Sequence, residues 1–350
     1  MKVALLDVGA GTLDFLLYES GKTLENCVKM VLPSPEKIHV LEVEGITGQN
    51  KDLYIDGYTV GGDGLGKAVK KHIEKGLQVH MTPIAAYSIR NNLSEVEEIG
   101  VSIVDEKPRG FEQISLDDLR LESIELVLNG FSETLMDVDV CAVSVKDHGA
   151  PPSGISNRVF RLENYRRLLE DDNRFSSFLY EDSGVPEYYL RMNSAVDAVR
   201  DTLGDVRVYL MDTSISALAG CLQDSRMVDR DPSLVVNVGN GHTVAAVVSG
   251  DRILSFFEHH TGRLNRQKLE YYLESLCEGE IENEEVYNDG GHGAAVIENP
   301  PGIHGIEIIS VTGPRRKLLE GSKLEYIQAS PGGDVMMTGT LGLLKAIQEK

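Results

Sequence analysis

Positive charge is scarce in this chain. Against 55 Asp and Glu stand 34 Lys and Arg, a formal net charge of −21 at pH 7. Such a balance repels a phosphate backbone, which excludes nucleic acid as a general partner. Any bound polyphosphate must be held by backbone N–H groups, a metal ion and a few placed cations. Cysteine is scarce too. Cys27, Cys141, Cys221 and Cys277 stand far apart with no C-x-x-C pair, so neither a cysteine-held metal site nor a disulfide framework has a local signature. No apolar run reaches the roughly 18 residues of a membrane span. Asp7 interrupts the first apolar stretch too early for a signal-peptide core. The expectation is a cytoplasmic protein with no membrane partner.

What is present suits two compact lobes. The 350 residues are 41% hydrophobic and 25% charged, ordinary for a globular α/β chain. Lys2 to Val8 reads as a buried strand, Gly9-Ala10-Gly11 as a turn, and Thr12 to Glu19 as a second strand. A third strand ends near Pro33, which completes an antiparallel meander. The pattern returns later. Val3-Ala-Leu-Leu-Asp7-Val-Gly9-Ala10-Gly11-Thr12 is matched by Leu234-Val-Val-Asn237-Val-Gly239-Asn240-Gly241-His242-Thr243, again strand, G-x-G turn, strand and further strand. Two similar halves imply two similar lobes whose turns face each other across a cleft. A G-x-G turn lets backbone approach a ligand, and its successive N–H groups form a concavity for an anion.

These residues carry a resemblance. Asp7 to Asp14 resembles the first phosphate motif of the actin, sugar-kinase and chaperone ATPase superfamily, and Asn237 to Thr243 its second. Asp212 to Gly220 is similar to the small-residue helix between lobes. Val311-Thr312-Gly313-Pro-Arg315 resembles the adenosine motif. The chain is most similar to an archaeal family of unknown function, sometimes labelled pyruvate formate-lyase activating enzymes, with like D-V-G-A-G-T, D-H-G, N-x-G-N-G-H-T and T-G-P-x-R strings. The resemblance implies an actin-like ATPase (ribonuclease H-like) fold with mixed sheets around a nucleotide cleft. The expected division is a first lobe over 1–150, a hinge or insertion over 151–205, a second lobe over 206–332, and a C-terminal helix over 333–350 packing back on the first.

The resemblance further implies ATP with Mg²⁺ and phosphoryl transfer, to water or to a small hydroxyl or acid substrate. Asp7 is the expected Mg²⁺ anchor. Gly9, Ala10, Gly11, Thr12, Gly239, Asn240, Gly241, His242 and Thr243 are the expected phosphate contacts, and Thr312, Gly313 and Arg315 the adenosine contacts. Asp147, in Asp147-His148-Gly149 after a buried strand, is the expected group acting on the nucleophile. Each has a plainer alternative: a hairpin with a strand-end Asp, a turn-capping Asp147, a surface Arg315. Asn237 departs from the superfamily pattern, because an amide brings no charge to a metal. A nucleotide-controlled activator of a partner enzyme is therefore a second reading. Histidines in turns give a third, a metal-dependent transferase. His148 and His242 follow lobe-facing strand ends, and Glu258, His259, His260 and His292 sit in loops able to close over them. The plainer alternative is that these histidines only pin their loops. A radical-forming activase lacks three cysteines close in sequence.

Overall fold

A computed structural model describes all 350 residues, Met1–Lys350. The first meander is β1 (Lys2–Val8), β2 (Thr12–Glu19) and β3 (Val28–Pro33), antiparallel throughout. Next come α1 (Pro35–Gly48), β4 (Leu53–Gly57), α2 (Asp63–Glu74), β5 (Val79–Met81), α3 (Pro83–Ala86), α4 (Leu93–Glu98), β6 (Val101–Ile103) and β7 (Glu112–Leu116). Their strands form a separate all-parallel sheet, in the order β6-β5-β4-β7, with its own apolar core. The chain then returns through α5 (Leu121–Asn129), β8 (Val140–Val145), α6 (Asn157–Asp171), β9 (Tyr180–Glu181), α7 (Leu190–Leu203) and β10 (Arg207–Asp212). β8 lies parallel between β1 and β10, so the first sheet reads β3-β2-β1-β8-β10-β9.

The remaining elements repeat this plan. α8 (Thr213–Cys221) leads to the meander β11 (Ser233–Val238), β12 (His242–Ser249) and β13 (Arg252–His260). α9 (Arg266–Glu278), α10 (Asn283–Asn288), β14 (Gly293–Val296), β15 (Ile308–Thr312), β16 (Ile327–Gln328) and α11 (Thr338–Glu349) follow. The second sheet reads β14-β13-β12-β11-β15-β16, with β15 and β16 parallel to β11. Stripped of their outer additions, both sheets have the order third, second, first, fourth, fifth. This doubled topology is the actin-like ATPase, ribonuclease H-like fold.

One helical layer joins the sheets. α8 and α11 cross so closely that a Cβ on Gly220 would overlap the Thr338 carbonyl, and one on Gly342 the Ser216 carbonyl. Small residues allow that approach, and the helices then share a core with Val3, Leu5, Val235 and Val244 from the two sheets. The expected boundaries need correction. β10 begins at Arg207 yet pairs along the whole of β8, so the first lobe runs past residue 206. Residues 151–205 are not a separate hinge. α7 buries Met192, Ala195, Ala198 and Val199 on the outer face of the first sheet, while α6 buries Leu162, Tyr165 and Leu169 between the lobes. No helix is long and apolar enough to cross a membrane.

Candidate functional site

The two G-x-G turns have the same build. Gly9 N–H donates to the Thr12 carbonyl at 2.9 Å, and Gly239 N–H to the His242 carbonyl at 2.9 Å. Asp7 and Asn237 are half-buried at equivalent points just before them. The turns face each other: a Cβ on Gly11 would lie 2.5 Å from the Asn240 amide nitrogen. The N–H groups of Ala10, Gly11, Asn240 and Gly241 make no hydrogen bond within the protein, so each turn keeps free backbone donors. The Lys37 ammonium sits at the first turn, 3.2 Å from the Gly11 carbonyl. In an acidic chain it is a cation at the turn itself, and no sequence motif marks it.

Asp7 is held rather than loose. One carboxylate oxygen accepts from Ser144 Oγ at 2.7 Å and from Thr213 Oγ1 at 2.5 Å; the other lies against Gly339 of α11. Burial pushes its pKa up to about 6, in spite of the two hydroxyl donors. Directly across the hairpin stands Asp14, whose Oδ1 is buried without a partner. Burial, then the Asp7 charge, raises Asp14 to about 8. Two facing carboxylates, one with an orphaned oxygen, fit a hard divalent cation such as Mg²⁺, which takes oxygen ligands.

The third motif lies beside the second turn. Gly313 has φ +95°, and a Cβ there would overlap the Val238 carbonyl and crowd Asn237. Arg315 is exposed, with its backbone N–H bonded to the Val238 carbonyl at 2.9 Å. Two expected contacts prove to be structural. Thr312 is buried and its hydroxyl pairs with Thr338 Oγ1 at 3.1 Å; Thr243 is buried against Thr261 Oγ1 at 3.0 Å.

Asp147 also differs from expectation. Its carboxylate accepts backbone N–H groups from Gly149 at 2.8 Å, Arg191 at 2.8 Å and Met192 at 3.1 Å. It caps the first turn of α7 and holds the loop of His148, so it is a positioning residue rather than a free base.

Beneath the cleft lies a buried ion network with no sequence motif. Arg161, 1% exposed, bonds Asp212 through both Nη atoms at 2.8 and 3.0 Å, Glu258 through Nε at 2.8 Å, and the Asp147 carbonyl at 2.8 Å. Lys146 bonds Glu258 and Ser214. Burial works against the charges of Asp212 and Glu258, but Arg161 and Lys146 outweigh it and hold both pKa values below the usual range. Thus α6, β8, β10 and β13 are tied at one point between the lobes.

Above this network three imidazoles converge. His148 follows β8, His242 opens β12, and His292 precedes β14. One ring nitrogen of each lies within 4.8 Å of the other two, and Nε2 of His148 is 3.2 Å from Nε2 of His292. Gly293 has φ +136°, where a side chain would strike Asn283 and Leu162, so the turn that presents His292 requires glycine. Burial lowers the pKa of all three histidines, His292 to about 3, which leaves neutral imidazoles. His148 and His242 lie side by side, their ring centroids 5.6 Å apart. His292 joins them directly, while the His260 ring lies 4.7 Å from that of His242, centroid to centroid. His259 points elsewhere, its Nε2 3.2 Å from Asp289.

Against known families, the one described as "Putative pyruvate format-lyase activating enzyme (DUF1786)" matches residues 60–318, more than half of the chain. The chain belongs to this family. The matched stretch holds the second turn, all three histidines and Thr312 to Arg315; the first turn precedes it. No curated protein matches the sequence. Among solved structures, the ROK hexokinase from Thermus thermophilus is 13% identical over 100% of both chains, with a TM-score of 0.33. The PilM–PilN type IV pilus biogenesis complex is 11% identical over 99% of both chains, with a TM-score of 0.40. The ethanolamine utilization protein EutJ from Carboxydothermus hydrogenoformans is 10% identical over 99% of this chain and 90% of that one, with a TM-score of 0.27.

Proposed function

We propose that this family member binds a Mg²⁺–adenine nucleotide between its two G-x-G turns and works by phosphoryl transfer. The observation that carries the reading is the facing pair of turns, with unpaired N–H groups at Ala10, Gly11, Asn240 and Gly241. Backbone donors from both lobes would hold the phosphates, and Lys37 would add a positive charge. Asp7, with Asp14 behind it, would hold Mg²⁺, which when bound neutralises charge on the β- and γ-phosphates. Adenosine would lie along Gly313 to Arg315, with the Arg315 guanidinium against it, since Thr312 is buried and its hydroxyl is used internally.

A second reading is supported by two observations. Asp147 spends its carboxylate on backbone N–H groups, and Asn237 brings no charge. A site with these limits suits a slow nucleotide-controlled activator of a partner enzyme. Thermal unfolding against ATP, ADP and GTP, with and without Mg²⁺, tests the reading common to both, because a ligand specific for the native state raises the midpoint. Phosphate release with ATP then separates transfer to water from the activator: steady turnover supports the first, and a raised midpoint without turnover rules it out in favour of the activator or of transfer to an added acceptor. No shift with any nucleotide at millimolar concentration sinks both.

A further inference from the structure

We infer that His148, His242 and His292 form a binding site for one first-row transition-metal dication, separate from the Mg²⁺ position at Asp7 and Asp14. The inference does not rest on nucleotide binding. Two imidazoles on one tetrahedral ion, with metal–nitrogen distances of about 2.0–2.1 Å, place their nitrogens about 3.3–3.4 Å apart. Nε2 of His148 and Nε2 of His292 are already 3.2 Å apart, and His242 brings a nitrogen within 4.8 Å of both. The small closure still needed belongs to side chains, not to the fold.

Three further features point to an ion. Nε2 of His242 is buried without any hydrogen-bond partner. An orphaned acceptor or donor in that position is costly, and a metal satisfies it. Nδ1 of His292 is likewise unpartnered, yet Glu258 Oε1 stands 4.0 Å away. A carboxylate behind a metal-bound imidazole fixes its tautomer and orientation. Finally, the shell beneath is charge-balanced: Lys146 and Arg161 against Glu258 and Asp212. Three neutral nitrogens suit Zn²⁺, Fe²⁺ or Co²⁺ and do not suit Mg²⁺ or Ca²⁺. With three protein ligands the ion keeps an open position, the arrangement of a reactive rather than a structural centre.

The competing account is an N–H···N hydrogen bond between His148 and His292 with His242 packed beside it. Titration of the full-length, chelator-treated protein with Co²⁺ alone, under anaerobic conditions and without nucleotide, separates the two. The site predicts one Co²⁺ per chain, a visible absorption of the strength typical of four- or five-coordinate cobalt, and displacement by Zn²⁺. His148→Ala with His292→Ala should weaken Co²⁺ binding at least 100-fold with an unchanged circular-dichroism spectrum. His304→Ala, outside the cluster, should bind as the parent does. Should the double variant fail to fold, the parent still decides. A folded parent that takes up neither Co²⁺ nor Zn²⁺ at the cluster overturns the inference, even if it binds ATP. Equal cobalt binding in a folded double variant overturns it as well.

Discussion

Replacing Arg161 with Met keeps an unbranched apolar stem, shortens the side chain and removes its charge. The structure gives four hydrogen bonds to lose, two to Asp212 and one each to Glu258 and the Asp147 carbonyl. It also strands the Asp212 carboxylate and leaves Glu258 with Lys146 alone, and these two groups are 3% and 1% exposed. Removing one partner of a buried ion pair costs about 3–5 kcal/mol, because the remaining charge cannot be solvated. An unfolding entropy of about 2.1 cal/mol/K per residue converts this, for 350 residues, to a fall of roughly 4–7 °C in midpoint. Acid should alter the gap in a defined direction. In the parent, both carboxylates have lowered pKa values, so their stabilisation is present above the unfolded value near 4 and is lost as pH falls through the folded one. In the variant, burial without Arg161 favours protonation, so acid relieves the strain. Scanning calorimetry from pH 7 to about pH 4 should therefore show the two midpoints converging. Equal midpoints at pH 7, or a gap that widens in acid, would show that Arg161 does not hold these carboxylates.

Further outcomes follow from the same geometry. Asp7→Asn should weaken Mg²⁺-dependent ATP binding by about 1.5–3 kcal/mol, the range for a charge-assisted contact, measured by titration calorimetry; Asn237→Asp should be tolerated or raise turnover. Gly339→Ala places a methyl group on the Asp7 carboxylate and should lower Mg²⁺–ATP affinity without changing Mg²⁺-free unfolding in the same way. Asp14 has a folded pKa raised to about 8, so ionising it costs stability as pH climbs from about 4 to 8. Asp14→Asn should remove that slope and raise the midpoint at pH 8, and a parent with flat stability over this range would contradict it. Asp147→Ala should destabilise by about 1–3 kcal/mol through the orphaned N–H groups of Gly149, Arg191 and Met192, with any ATP turnover surviving in proportion to folded protein.

The parts of this molecule legible in its sequence are those where local chemistry repeats. Asp7 to Thr12 and Asn237 to Thr243 announce the same strand, turn and strand, and from them the doubled sheet follows. The third sheet was not legible. β5 and β6 are three residues each, too short for alternation to register. The segment 151–205 misled for another reason. α6 buries Arg161 and Asn164 beside Leu162 and Tyr165, so its inward face lacks an apolar stripe and looks like solvent-facing surface. Only with α6 and α7 in place does β10 fall beside β8 in the first sheet. At the site, motif order placed the turns, but spacing could not reveal that Asp147 is consumed by the helix it caps. Nor could it show that His292, 144 residues from His148, arrives within hydrogen-bond distance. Lys37 and Lys146 carry no motif at all; only the folded cleft shows what they face.

If the facing turns are a nucleotide site, a crystal structure with Mg²⁺ and a non-hydrolysable ATP analogue will show it. Phosphates should lie between Gly9–Thr12 and Gly239–Thr243, Mg²⁺ on the Asp7 side, and the base against Gly313–Arg315. A nucleotide bound elsewhere on the protein, with these turns still closed on each other, would contradict this assignment.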